Sequence, residues 1–182
     1  VRARVFRGVA GAVVLVGVLT AAAGGDGGSG DAQGRALAGR GGEIGNEHVR
    51  VGAEYWVTMP VQRNVTGEPL TVLRTRWVHV PRNVKVVRYG VVTVKETGGA
   101  VLGAVEPKDL RRDVGLTHVG AERPVEIPAH SETEAYVLAL VKVTGPVRDH
   151  LSGYRVRYRQ GAVEYRQDLD WEARLRPHPE DA

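Results

Sequence analysis

The chain has no cysteine, one methionine (Met59) and one phenylalanine. Without thiols there is no disulfide framework, no cysteine nucleophile and no Cys-ligated zinc or iron–sulfur site. A lone methionine fits a copper carrier poorly. Nothing matches H-E-x-x-H or G-x-S-x-G, the spacings that announce a zinc hydrolase or a nucleophile elbow. Beyond residue 23 no stretch of ten residues carries the 3.6-residue apolar period of an amphipathic helix. Length (182 residues) and 42% hydrophobic content allow one modest domain with extras.

The amino terminus reads as an address. Arg2, Arg4 and Arg7 precede an uncharged apolar run from Val9 to Ala23. At about 1.5 Å per residue this run is short against a hydrocarbon core of about 30 Å. Ala21 and Ala23 supply the small residues that signal peptidase requires, with cleavage before Gly24. The expectation is therefore a signal peptide over 1–23, with an uncleaved membrane anchor as the alternative. Removing three arginines leaves 22 basic residues against 21 acidic ones, so the formal charge of +4 falls to about +1 and gives no argument for nucleic acid. Only 4 of the 25 basic residues are lysine, a usage that fits a GC-rich bacterial genome.

Leu19 to Gly25, followed by Asp, Gly and Ser, resembles the lipobox and tether of a bacterial lipoprotein. That family carries its lipid on a cysteine, and Ala23 stands at the matching position, so the resemblance implies a secreted or merely anchored product. Gly24 to Gly45 holds ten glycines in 22 residues and reads as a disordered linker through residue 46.

From His48 the texture changes to strands. Val49, Val51, Ala53, Tyr55, Val57, Met59 and Val61 alternate with the period of a half-buried strand, broken near Pro60. Two more strands are expected over 70–80 and 84–95, a short one over 125–127 ended by Pro128, and a doubly covered one over 136–143. The stretch 106–124 reads as a long loop with one helical turn near Lys108 to Arg112. Thirty-two valines suit pleated surfaces.

The sharpest expectation is a last hairpin turning at Gly161-Ala162 in a type II′ loop. Its register sets Tyr158 against Tyr165, Arg159 against Glu164, Arg155 against Asp168, and Arg157 against Arg166, a pair that is mildly unfavourable unless an anion sits between them. Leu169, Trp171, Ala173 and Leu175 continue the inward row. Together these features predict an all-β, immunoglobulin-like antiparallel sandwich of about seven strands over 47–176, with a disordered tail over 177–182. The layout resembles the immunoglobulin-like domains that follow signal peptides in exported bacterial proteins, though the Cys…Trp…Cys hallmark of antibody domains is absent.

The chemistry-bearing residues are sparse. His48, His79, His118, His130, His150 and His178 share no ligand spacing, so a metal site would have to be assembled by the fold. Asp168, Asp170 and Glu172 line one side of a strand and read as a solvated face rather than a calcium site. Ser131 beside His130 and Ser152 near His150 are sequence neighbours, which a strand points apart. Asn64-Val65-Thr66 matches a glycosylation sequon. Arg155, Arg157, Arg159 and Arg166 form the one dense cationic stripe, a candidate for an anionic partner. The expected function is an exported, non-catalytic binding or structural module needing no cofactor, with a partner in or beyond the cell envelope. Its alternatives are a metal-binding protein or hydrolase assembled from loops, and a single-pass membrane protein with an external domain.

Overall fold

The computed structural model describes residues 31–39, 41–100 and 102–177. The predicted signal segment with its cleavage residues Ala21, Ala23 and Gly24, the first part of the predicted linker, and His178 in the tail lie outside these residues.

The described chain is mostly β-structure, arranged as two facing sheets. Strands β1 (Ala32–Gln33), β2 (Leu37–Gly39), β3 (Glu43–Val49), β4 (Glu54–Thr58), β5 (Gln62–Asn64), β6 (Leu70–His79), β7 (Val84–Thr93) and β8 (Ala104–Val105) precede α1 (Pro107–Val114), the one helix among the described residues. Strands β9 (Gly120–Ala121), β10 (Val125–Ile127), β11 (Ala135–Val143), β12 (Leu151–Gln160) and β13 (Val163–Pro177) follow. Seven of these strands have five residues or more. One sheet has the order β1-β13-β12-β6-β10, with β3 also on β13; the other runs β8-β4-β11-β7-β9, and β2 pairs with β5 as a separate ribbon.

β11 is the centre of the second sheet, and its alternation divides it between two cores. Val137, Ala139, Val141 and Val143 join Tyr55, Val57, Tyr154, Val156 and Tyr158 between the sheets. Tyr136, Leu138 and Leu140 face the opposite way and pack with Trp56, Val92, Leu110, Leu116 and Val119. The stretch 106–124 is thus a cover for the outer face of the sheet, and its helix is two turns long rather than one. Pro107 starts α1, Asp109 sits in its first turn, and Gly115 ends it in the left-handed region at φ 73°. Only Leu110 of the helix is buried, so packing against Trp56 and Leu138 holds it in place.

The last hairpin has the expected register in full: Tyr158 opposes Tyr165, Arg159 Glu164, Arg157 Arg166, and Arg155 Asp168. Gly161 takes φ 58°, as the first loop position of a type II′ turn requires, and the two tyrosine rings stack at 5.4 Å. Three expectations need correction. The strand predicted from Val49 to Val61 is two strands, interrupted at 50–53 by a turn with Gly52 at φ 88°. The sandwich is not purely antiparallel, because β1 and β3 both run parallel to β13.

The third correction concerns the linker. Residues 31–39 and 41–46 are a folded arm that closes the sandwich, so the domain begins well before residue 47. Ala36 N–H donates to the Tyr158 hydroxyl at 3.1 Å, and Gln167 holds both the N–H and the carbonyl of Leu37 at 3.1 and 2.7 Å. The glycines make this approach possible. A Cβ on Gly34 would lie 2.2 Å from the Tyr158 oxygen, one on Gly39 2.8 Å from the Tyr154 oxygen, and one on Gly42 2.7 Å from the Trp171 ring. None of the three has positive φ. They serve by lacking a side chain, not by bending.

Gly34→Ala is expected to cost about 1–3 kcal/mol, since Tyr158 is buried and cannot yield. Gly41→Ala, which meets open space, is expected to stay within about 0.5 kcal/mol. Urea unfolding of the two variants checks this; equal, negligible effects would return the segment to a passive linker.

Candidate functional site

The four arginines of the predicted stripe do share the outer face of the first sheet, and β6 adds two more. Arg157 stands opposite Arg166 on β13 and opposite Arg74 on β6, while Arg155 stands opposite Asp168 and Arg76. Arg155 holds Asp168 with two bonds, Nε to Oδ1 at 2.7 Å and Nη2 to Oδ2 at 2.8 Å. Arg76 makes a two-point contact with Glu122 from the loop after β9, and its guanidinium lies 4.1 Å from the centre of the Tyr89 ring.

The anion that the Arg157–Arg166 pair calls for is supplied by the chain itself. Asp31, at the start of the arm, binds Arg157 with Oδ2 2.7 Å from Nε and Oδ1 2.9 Å from Nη2. Glu164 adds a contact to Nη2 at 3.1 Å, diagonally across the hairpin rather than to its direct neighbour Arg159. Arg74, Arg159 and Arg166 form no ion pair among the described residues. Asp31 was hidden from sequence reasoning because it is 126 positions from Arg157.

The histidines do not converge. His79 at the end of β6 bonds Asp149 at 2.6 Å, and His150 lies 3.4 Å from the other oxygen of the same carboxylate and 3.7 Å from Glu172. His130 is a turn residue at φ 55° beside Gly67, and His118 stands near Glu96. Among the described residues no group of three or more His, Asp or Glu side chains is placed to hold a metal ion. Asp168 serves Arg155 and Glu172 joins Arg174 at 3.0 Å, while Asp170 between them is exposed. Ser131 Oγ donates to the Ala129 carbonyl, with no bond to His130. Ser152 lies directly across from His79 in the sheet, a proximity the sequence did not suggest, but no hydrogen bond joins them.

The sequon asparagine has a structural post. Asn64 is fully buried; its amide donates to the carbonyls of Glu68, Ile127 and Pro128, and its oxygen accepts from Thr66 N–H and Oγ1. The side chain locks the turn after β5 to the end of β10, and its nitrogen is out of reach in the folded protein.

A cleft of about 990 Å³ opens where the β2–β5 ribbon meets the end of β7. Pro60, Val61, Val94 and Trp171 give it an apolar lining. Arg63, Lys95, Glu132 and Glu134 supply two charges of each sign at its edge. Trp171 is the half-buried one of three tryptophans, whereas Trp56 and Trp77 are buried. Its indole N–H donates to the Thr58 carbonyl at 3.3 Å, and the ring rests on the arm at Gly42. Gly39 lines the same cleft and covers the hydroxyl of Tyr154, which is buried without a partner; burial pushes that phenol well above its ordinary pKa. Sequence placed Trp171 in the inward row, and nothing local marked it as the floor of a cleft. No helix among the described residues is long and apolar enough to cross a membrane. No family model and no curated protein matches the chain.

The carboxyls of Asp168 and Asp149 both lie below their ordinary range. The Arg155 guanidinium is the chief cause for Asp168; for Asp149 the causes are the His150 N–H and then the His79 ring. A depressed folded pKa stabilises above the unfolded value of about 3.9 and is lost as pH falls through the folded value. Acid unfolding of Asp168→Asn should therefore show a shallower loss below about pH 4. At pH 7 that variant should cost under about 1 kcal/mol, because the pair is half exposed. Carboxyl NMR titration should place the Asp168 midpoint below an exposed aspartate's.

Proposed function

We propose that the chain is an exported, non-catalytic binding module: an immunoglobulin-like sandwich that presents the Trp171 cleft to a ligand of the cell envelope. The observation that carries this reading is the cleft itself. It has an apolar floor, a fixed aromatic ring and a polar edge, the usual make-up of a small-ligand site. Its one hydroxyl on a carboxylate, Thr93 on Glu96 at 2.8 Å, shares that carboxylate with the Thr93 N–H in the turn after β7, and we read the cleft as a binding site. The basic-then-apolar amino terminus with Ala21 and Ala23 supports export. Seven long strands in two facing sheets support the immunoglobulin-like class, and that class supports a binding role by analogy of fold alone.

The edge charges of the cleft cancel, so net charge does not select the ligand. An indole face with carboxylates and cations around it fits the apolar face and hydroxyls of a neutral saccharide. Chitotetraose is a suitable probe. It is expected to shield Trp171 from acrylamide quenching, a signal to which the buried Trp56 and Trp77 add little, and Trp171→Ala should abolish the protection. Unchanged quenching across a panel of neutral oligosaccharides would overturn the saccharide reading.

Export is checked separately by intact mass on fractionated native cells. A species beginning at Gly24 in the medium is the expected result. An uncut chain in the membrane fraction would mean an anchored module, and a cytoplasmic one would overturn export.

A further inference from the structure

On the outer face of the first sheet the rows across the strands that hold Arg155 and Arg159 include acidic residues, and the row between them has none. Across the strands, Asp168 neighbours Arg155 in one row, and Arg76 at its end is held by Glu122; in another row Glu164 neighbours Arg159, and Glu126 lies beyond Thr71. The row between them is Arg166, Arg157 and Arg74, three guanidinium groups directly side by side. With strands about 4.8 Å apart it extends over about 10 Å. Like charges directly opposite are unfavourable in a sheet.

Asp31 reaches that row from outside it. Its carboxylate engages only the middle arginine, is largely buried there (18% exposed), and is presented by β1, a two-residue strand parallel to β13. Asp31 accepts one hydrogen bond from Arg157 Nη2 at 2.9 Å and lies 2.7 Å from its Nε, Glu164 reaches the same Nη2 at 3.1 Å, and neither carboxylate pairs with Arg74 or Arg166. An occupant serving all three arginines needs more acceptor oxygens, spread along about 10 Å of the row. Phosphoryl groups linked in a chain have both properties, and arginine forks recognise them bidentately.

We propose that the Arg74–Arg157–Arg166 row is a binding site for a linear phosphoryl polyanion, and that Asp31 is its built-in competitor. The arm's first strand holds the carboxylate in the middle of the site; a chain of phosphates displaces it and bridges to the two outer arginines. The site is on the opposite side of the first sheet from the core and does not depend on the Trp171 cleft, so either can fail alone.

The test is calorimetric titration of the full chain with tripolyphosphate and with orthophosphate at one fixed ionic strength. Tripolyphosphate is expected to bind at least about tenfold more tightly than orthophosphate, because its groups engage neighbouring arginines together. Asp31→Asn should tighten tripolyphosphate binding about fivefold or more by removing the competing carboxylate, and Asp31→Glu should not. Arg74→Gln and Arg166→Gln should each weaken it by about fivefold. Asp113→Asn, which removes the same charge on α1, should leave it unchanged.

Equal affinity for the two anions would overturn the proposal, as would equal tightening by Asp31→Asn and Asp113→Asn, or indifference to both arginine substitutions. If Asp31→Asn does not fold, the wild-type chain still decides. On adding tripolyphosphate the Nε resonance of Arg157 must shift while that of Arg155, held by Asp168, stays in place; the reverse pattern or no shift refutes the site.

Discussion

Burial of β11 on both faces is the constraint on which the rest of the molecule depends. A strand whose alternate side chains are all apolar must be covered twice, since each exposed Leu or Val forgoes roughly 1.5–3 kcal/mol. The first sheet covers one face through Tyr154, Val156 and Tyr158. The other face has no third sheet, so the chain between β8 and β10 folds over it, inserting Leu110, Leu116 and Val119 above Trp56, Leu138 and Leu140. The stretch that reads in the sequence as a long loop is committed to packing. That leaves the Trp171 cleft and the outer face of the first sheet as the surfaces proposed for binding.

A second constraint follows from filling the inter-sheet space with tyrosines in place of phenylalanines. A buried tyrosine needs a partner for its hydroxyl. Tyr158 finds it in Ala36 N–H and Tyr55 in Arg50 N–H, while Tyr154 finds none. Each partnered hydroxyl therefore ties a loop or the amino-terminal arm to the core. The arm descends onto the rings because glycines at 34 and 39 put no Cβ in the way. Its path leads from the arginine row, past the tyrosines, to the wall of the cleft. Asp31 at the row and Gly39 in the cleft both belong to this arm, and β13 also serves both surfaces, through Arg166 and Trp171.

What was legible in the sequence was what is local. The hairpin could be registered residue by residue because a two-residue loop fixes the offset and the period of two fixes the faces; from those two facts Tyr158 must meet Tyr165 and Arg157 must meet Arg166. The doubly apolar run of β11 and the stop at Pro128 were legible for the same reason. The need for an anion beside Arg157 was legible too, as an unmet requirement. Its source was not, because Asp31 is brought there by a parallel pairing at the far end of the chain, and a parallel partner leaves no turn in the sequence to announce it.

The glycine-rich arm was misread for a deeper reason. Glycine has two physical uses, a backbone free to adopt positive φ and the absence of a Cβ, and composition cannot separate them. The structure does. Gly52, Gly98, Gly99, Gly115, Gly153 and Gly161 have positive φ, and a Cβ would meet nothing within 4 Å at five of them and only ordinary contact at Gly153, whereas Gly34, Gly39 and Gly42 lack positive φ and would collide with Tyr158, Tyr154 and Trp171. Each of those aromatic residues belongs to the alternating inward row of the last hairpin. An inward row richer in tyrosine and tryptophan than its opposing sheet can cover needs a further layer of backbone thin enough to lie against the rings. A glycine-rich segment in the same chain is the material for that layer, so the hairpin's own pattern held the argument against an idle linker.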